Sequence, residues 1–515
     1  MNDFDDMRKV NELKAGVILS YVNMAISTAI PLLYTPIMLR ILGQAEYGLY
    51  SLSNSVISYL SLLTFGLGGA ILRYLTKSRT EGNKAELEKV LGLFVILYAL
   101  IALISVAAGV TLTHFTGAFF AKGLTELENE RLNVLIVIMA INAAISLLCV
   151  PFSSITICYE RYVFRRIVEI LSTIATPIFN LAVLYAGYAS VGMAIVGTAI
   201  QLVFLLINIA FCNSNLKIHP RFKNLPFYLL KDIFKFTAFV FISTIADLLY
   251  WSTDKVLLGA MVSSSAVAVY NIGATFNGIL QNMSSAISGV FAPRVNQFVF
   301  AKHDINDFSA LMIRVGRIQY LIVSLVLSGF VVFGRSFILL WAGTGYEAAY
   351  DVALLTMIPL AIPLIQNIAF TTITAQNRHQ FRSVIYVILA VLNVFGTYLL
   401  IPRYGIIGAA LCTCAVFLVG HGLTMNWFYY KKIGLDIPAF WRNILKMSIV
   451  PVGMTLITMF LRNYLNVKLS MLNLLAEICI YTAVFCVLSW IFSMNTYEKS
   501  LITGTVKKVV RKEGC

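Results

Sequence analysis

Polar residues in this chain come in short bursts, separated by apolar runs of 18 to 30 residues. Each run is close to the roughly 20 residues that carry a helix across a bilayer. Hydropathy and loop charge together predict about fourteen transmembrane helices. They fall near 15–39, 47–72, 90–113, 132–157, 167–186, 190–211, 236–258, 264–293, 318–340, 350–375, 383–400, 404–429, 444–461 and 470–493. Very short turns divide the fifth run from the sixth and the eleventh from the twelfth. The predicted fold class is therefore an all-α integral membrane protein.

Composition agrees with that pattern. Hydrophobic residues make up 59% of the 515, charged residues 12%, and the mean hydropathy is +0.83. A soluble domain carries about 25% charged residues. The opening segment "MNDFDDMRKVNELKAG" starts acidic, and no cleavage pattern follows the first apolar run, so that run is expected to stay as a span. The eight cysteines (149, 158, 212, 412, 414, 479, 486 and 515) lie mostly within the runs and include no Cys-x-x-Cys pair. They read as small apolar residues, with neither a disulfide framework nor a metal site.

Charge fixes the expected orientation. With both termini on the cytoplasmic side, 31 of the 39 Lys and Arg fall inside and 8 outside. That segregation is the positive-inside rule, and a count with the wrong parity would scramble it. The outer loops hold the acidic Glu126, Glu128 and Glu130. The net charge of +15 is thus mostly a topology signal, which leaves no soluble basic domain for nucleic acid. The basic tail "KKVVRKEG" is expected to touch anionic lipid headgroups.

One phrase occurs twice. Arg161, Phe164 and Arg165 spell Arg-x-x-Phe-Arg before the fifth run, and Arg378, Phe381 and Arg382 repeat it before the eleventh, 217 residues later. Downstream, Tyr188, Gly192 and Ala194 return as Tyr404, Gly408 and Ala410. Upstream, Tyr50, Leu60 and Gly69 return as Tyr270, Leu280 and Gly289, and Arg73 returns near Arg294. The order and nearly constant offset imply two six-helix lobes. Six is even, so the repeat is parallel, with a cavity expected between the halves. The predicted organisation is an N-lobe at 1–212, a cytoplasmic linker at 213–235, a C-lobe at 236–430, two extra spans at 431–494 and a basic tail at 495–515.

Two six-span halves plus two more, the motif "TDKVLLGAM" leading into "VAVYNIGATF", and "YGIIGAALCT" in the twelfth span resemble the polysaccharide flippases of the Wzx type. These belong to the multidrug/oligosaccharidyl-lipid/polysaccharide exporter superfamily, whose fold is MATE-like. The resemblance implies movement of a polyprenyl-pyrophosphate-linked oligosaccharide from the cytoplasmic to the outer leaflet by alternating access. It also implies a bacterial inner membrane, a role in cell-surface polysaccharide synthesis such as O-antigen, and polymerase and glycosyltransferase partners in the same pathway.

Such a carrier needs a polar cavity, cations for a pyrophosphate, and a lateral gap for a lipid tail. Ser264, Asn271, Thr275 and Asn282 form a stripe in the eighth span, at i, i+7, i+11 and i+18. Ser51, Asn54, Ser55 and Ser58 form a looser one in the second, and Asn23, Ser27 and Tyr34 line the first. Small polar residues also glue membrane helices together, and that reading stands beside the cavity. Asp247 lies mid-span in the seventh run, with Trp251 at i+4 and Asp254 at i+7, followed by Lys255. Asp247 is a candidate to take a proton, hold a sugar hydroxyl or pair with a cation, against a purely structural pairing. For Asp254 and Lys255 a structural ion pair is the plainer reading. Arg73 and Arg294 are the candidates for the pyrophosphate, since guanidinium donors match phosphate oxygens. The competing reading makes both of them topology anchors. Glu169 and Glu477 fall outside the presumed cavity spans and read as structural.

The nearest rival function is a cation-coupled multidrug exporter of the same superfamily. The first span carries no charge and the cytoplasmic entrance is basic, which suits an anionic headgroup better than a cationic drug. An enzyme is not expected: no Ser/His/Asp or metal-ligand constellation occurs, and the sole Asp-x-Asp, Asp3 to Asp5, lies in the tail. No phosphate-binding Gly-x4-Gly-Lys-Ser/Thr loop is present, so neither ATP nor any other cofactor is implied.

Overall fold

A computed structural model describes residues 3–300, 304–375, 380–465, 469–501 and 503. Among the described residues every regular element is helical. Backbone amides in hydrocarbon have no water to bond, so a spanning chain must close its hydrogen bonds within each helix. Among the described residues ten helices are long and apolar enough to cross a membrane, or eleven if the bent pair Gln44–Thr64 and Leu67–Thr80 counts as one span. Gln380–Ile433 counts as one of them, 54 residues long, although non-helical backbone at Gly405 (φ 55°, ψ −130°) divides it into two helices. This is a multi-pass membrane protein with an all-α fold.

The chain divides into two compact units, residues 3–271 with Val394–Gly405, and residues 272–393 with those from Ile406 onward. The first unit holds α1 (Asp3–Leu42), α2 (Gln44–Ser58), a 3₁₀ stretch (Tyr59–Thr64), α3 (Leu67–Thr80), α4 (Lys84–Phe119), α5 (Glu126–Cys158), α6 (Tyr162–Tyr185), α7 (Ala189–Ser214), α8 (Leu229–Trp251) and α9 (Thr253–Met261). Helix α5 packs on α4 and α7, and α1 packs on α6. Ile71, Leu75, Leu91, Phe94, Tyr98 and Ile155 meet in a buried core.

Local chemistry sets the boundaries. Asn83 caps α4 by accepting from the Glu86 amide at 3.0 Å. Thr125 and Glu128 cap α5 reciprocally, the arrangement that satisfies two otherwise orphaned amides. The predicted second span is broken: Phe65 (φ 46°) and Gly66 (φ 72°) turn left-handed, and the two pieces meet at 42°. The segment after α7 folds back along α4. There the Arg221 amide donates to the Glu88 carbonyl at 2.9 Å, and its side chain reaches the buried Glu88 carboxylate at 2.6 Å. A β-carbon at Gly92 would sit 2.0 Å from the Arg221 carbonyl oxygen. Gly92→Ala is therefore expected to cost about 1–3 kcal/mol by overpacking backbone against backbone, read as an earlier melting midpoint in detergent.

Helix α10 (Ser264–Phe300) begins in the first unit and continues into the second. The second unit adds α11 (Ile305–Trp341), α12 (Ala348–Ile365), α13 (Asn367–Ala375) and α14 (Gln380–Phe417), which is kinked at Gly405 (φ 55°, ψ −130°). Two π-helical stretches, Leu418–Met425 and Tyr429–Ile433, flank the single turn α15 (Asn426–Phe428). Then follow α16 (Ile437–Met447), α17 (Ile449–Leu465) and α18 (Met471–Leu488). Helix α11 is the hub, contacting α12, α13, α16, α17 and α18. Beyond α18 the chain returns to it: the Arg317 guanidinium, 8% exposed, grips Glu498, 3% exposed, at 2.6 and 3.0 Å.

Candidate functional site

Some of the candidate residues of the first unit, among them Asp254, Ser58, Asn271 and Asn23, lie in two polar groups. The first surrounds Asp254. Helix α8 stops at Ser252 and α9 starts at once, so Asp247 and Asp254 belong to different helices and meet different surroundings. Asp247 is exposed and Trp251 is 36% exposed, whereas Asp254 is 1% exposed. Tyr270 Oη donates to Asp254 Oδ2 at 2.5 Å, and Thr397 Oγ1 donates to Oδ1 at 3.1 Å. The neighbouring positions extend the chain of contacts. Thr253 and Tyr59 share a hydrogen bond of 2.6 Å, Ser252 and Ser58 one of 2.9 Å, and Asn271 donates to Tyr47 Oη at 2.7 Å. Lys255 is partly buried beside them.

Here a serine of the second-span stripe, Ser58, is joined to the start of α9. Asn54, in contrast, is exposed and donates to its own helix at Tyr50 O, 3.0 Å away. Tyr47, Tyr59, Ser252, Thr253 and Thr397 were not singled out from the sequence. Tyrosine and threonine are unremarkable inside spans, and only the fold shows that a carboxylate is their common partner. Ser264, at the head of the eighth-span stripe, donates to Glu128 at 2.5 Å.

The second group lies at the end of the unit formed by the α3–α4 and α5–α6 turns. Arg79 donates to the Cys158 carbonyl, lies 4.7 Å above the Tyr159 ring and is 3.8 Å from Glu160. Burial pushes the Tyr159 phenol up, with Cys158 adding to it and Arg79 opposing. Arg161 pairs with Glu12 at 2.7 Å. Arg165 and Arg166 share Glu169 at 2.8 and 2.5 Å, and Asn23 donates to the same carboxylate at 3.4 Å. Of the first-span candidates, Ser27 bonds its own helix at Met24 O (3.1 Å), and the Tyr34 hydroxyl is buried. Arg73 is exposed on α3.

In the second unit Thr275 is partly buried and Asn282 exposed. The side chain of Arg294 lies outside the described residues, as do Arg378, Cys515 and the basic tail from 504 on. An apolar cleft of about 330 Å³ lies between α11, α17 and α18, and its charged lining is Arg462 with Glu477, 3.1 Å apart. Arg462 also donates to the Val332 carbonyl and the Ser336 hydroxyl, so it fastens helices together. Among the described residues, no three His, Cys, Asp or Glu side chains are grouped to hold a metal.

A membrane bundle with buried polar chains is a scaffold for many carriers, and comparison with known proteins narrows it. Residues 13–299, 287 of the 515, match the family described as polysaccharide biosynthesis protein. The chain belongs to that family. This polysaccharide biosynthesis protein is 21% identical over 420 residues to the "Putative O-antigen transporter" of Shigella flexneri, covering 79% of this chain and 95% of the relative. It is 19% identical over 369 residues to the "Uncharacterized membrane protein EpsK" of Bacillus subtilis (strain 168), covering 70% of this chain and 71% of the relative. Its fold is shared with the lipid II flippase MurJ in an inward closed conformation (TM-score 0.73, 14% identity, 93% of this chain and 98% of that one). It is also shared with an inward-facing multidrug resistance MATE family transporter of the MOP superfamily (TM-score 0.61, 13% identity, 81% and 99%). The fold of this polysaccharide biosynthesis protein is thus MATE-like, as its resemblance to the superfamily implied.

Proposed function

We propose that this protein is a flippase that carries a polyprenyl-pyrophosphate-linked oligosaccharide from the cytoplasmic to the outer leaflet of a bacterial inner membrane. It works by alternating access of two six-helix lobes, through about fourteen crossings with both termini inside, and serves cell-surface polysaccharide synthesis. The names of the Shigella relative and of a "Probable low-salt glycan biosynthesis flippase" from Haloferax volcanii, 23% identical over 223 residues, support the substrate class.

One observation in the structure carries the reading. Five of the helix-borne acids are already engaged: Glu46 by Arg131, Glu88 by Arg221, Glu169 by Arg165 and Arg166, Asp254 by Tyr270 and Thr397, and Glu477 by Arg462. An organic cation entering the bundle would find few carboxylates, while an anionic headgroup meets a chain with 39 basic and 24 acidic residues. An inside-negative potential drives a pyrophosphate outward by about 2.3 kcal/mol per charge per 100 mV, which supports export without ATP.

Arg73 and Arg294 capture the headgroup in this scheme, and the cavity is lined from Asn23, Ser27, Tyr34, Asn54, Ser58, Asn271, Thr275 and Asn282. Arg73→Ala and Arg294→Ala are each expected to slow flipping about tenfold or more, the worth of a charge-assisted hydrogen bond. The assay is a fluorescent polyprenyl-pyrophosphate oligosaccharide in proteoliposomes, read by its accessibility to an outside quencher. Exposed Asp247, with Trp251 one turn on, favours a second reading, a cation-coupled drug exporter. Proton-driven ethidium uptake that dies in Asp247→Asn, with no lipid movement, would replace the first reading by the second.

A further inference from the structure

The two copies of the Arg-x-x-Phe-Arg phrase are built alike and charged differently. Phe164 stacks on Phe211 and Phe381 on Phe428, each pair with an interplanar angle of 9°. Both partners are also 217 residues apart, so the two phrases occupy equivalent places. In the same register Glu160 becomes Asn377, Arg166 becomes Ser383 and Glu169 becomes Tyr386, while Arg161 and Arg165 persist as Arg378 and Arg382. The second copy keeps the phrase's arginines and drops both carboxylates. From Val352 to Leu435 the chain contains no Asp or Glu at all.

The structure shows the consequence at Arg382. Its counterpart Arg165 is locked to Glu169 at 2.8 Å. The Arg382 guanidinium instead lies 3.6 Å from the Phe370 ring centroid and 4.4 Å from that of Tyr386, and Nη2 donates to Tyr386 Oη at 2.9 Å. Aromatic rings attract the face of a guanidinium, while its hydrogen-bond donors point outward in its plane. Here the side chain is partly buried, and among the described residues its Nε and Nη1 donate to nothing. A partly desolvated cation with unused in-plane donors and no carboxylate is set up for a planar or tetrahedral oxyanion.

We propose that Arg382 binds a phosphate group, the chemistry presented both by the pyrophosphate of a lipid-linked substrate and by an anionic phospholipid headgroup. The assignment of the pyrophosphate as the transported source rests on the function proposed above; the anion site itself does not. Tyr386 is what keeps Arg382 available, because a glutamate at that position would rebuild the lock of the first copy.

The test is titration of the purified full-length protein in detergent with inorganic pyrophosphate, followed by calorimetry. Arg382→Gln and Tyr386→Glu are each expected to weaken binding about tenfold or more, the second although the arginine is still present. Melting of each variant checks that it is folded. Wild-type affinity in both Arg382→Gln and Tyr386→Glu would overturn the proposal. If wild type takes no pyrophosphate, thermal stability is compared in phosphatidylcholine vesicles with and without phosphatidylglycerol. Stabilisation by phosphatidylglycerol that disappears in Arg382→Gln would identify the lipid headgroup as the source, and indifference to it would end the proposal. Pyrophosphate bound at Arg382 by a protein that flips no lipid-linked sugar would leave the site standing and remove the transport reading.

Discussion

Arg317→Ala is expected to lower stability by about 3–5 kcal/mol, the cost of leaving a buried charge without its partner. Glu498 accepts both Nε and Nη2 of Arg317, and Nη2 also donates to the Ser493 carbonyl at 2.9 Å. Glu498 in turn caps its own segment by accepting from the Asn495 amide at 2.9 Å. Losing the arginine therefore strands a carboxylate that is 3% exposed and frees the segment after α18 from α11. Melting of the detergent-solubilised protein, followed by fluorescence, should show a clearly lower midpoint. The double variant Arg317→Met with Glu498→Leu should recover most of the loss, since apolar replacement of a buried pair is often neutral or stabilising. A single variant that melts with wild type would mean the pair contributes nothing to the fold.

That pair also shows how far a sequence of this kind can be read. Arg317 was legible only as one of the basic residues expected on the inner side, and Glu498 only as part of a basic tail. Loop charge reports which side a residue occupies and carries no information about a partner 181 positions away. The all-helical class and the twofold phrase were legible because each is written in a local period or a fixed offset, and the MATE-like fold was what the family resemblance implied. Phe164 and Phe381 show the repeat surviving into side-chain packing. The break at Phe65 and Gly66 was not legible, because hydropathy runs unchanged through a 42° bend. Of the candidate site, the positions of Asp247, Trp251 and Asp254 were read as one helical face. That geometry assumes an unbroken helix, and Ser252 interrupts it. Asn23 was read as a cavity residue and Glu169 as structural, yet the two share a hydrogen bond of 3.4 Å.

Asp254→Leu is expected to destabilise the protein by several kcal/mol, whereas Asp254→Asn is expected to be close to wild type in both stability and flipping. The leucine would leave the hydroxyls of Tyr270 and Thr397 buried without their acceptor, at about 1–3 kcal/mol for each group. The asparagine keeps one carbonyl oxygen for Thr397. Its amide donates to Tyr270 Oη, a hydroxyl that accepts as readily as it gives. Both substitutions remove the ability to take up and release a proton, so they divide two roles that share one residue. If Asp254 couples protons to transport, asparagine must stop flipping as completely as leucine does, with the fold intact. If it organises the start of α9, asparagine works and leucine does not. The second outcome is expected, because the carboxylate is enclosed by α9, Tyr270 and Thr397 at 1% exposure. Flipping by Asp254→Asn proteoliposomes, measured with and without an imposed proton gradient, decides between them.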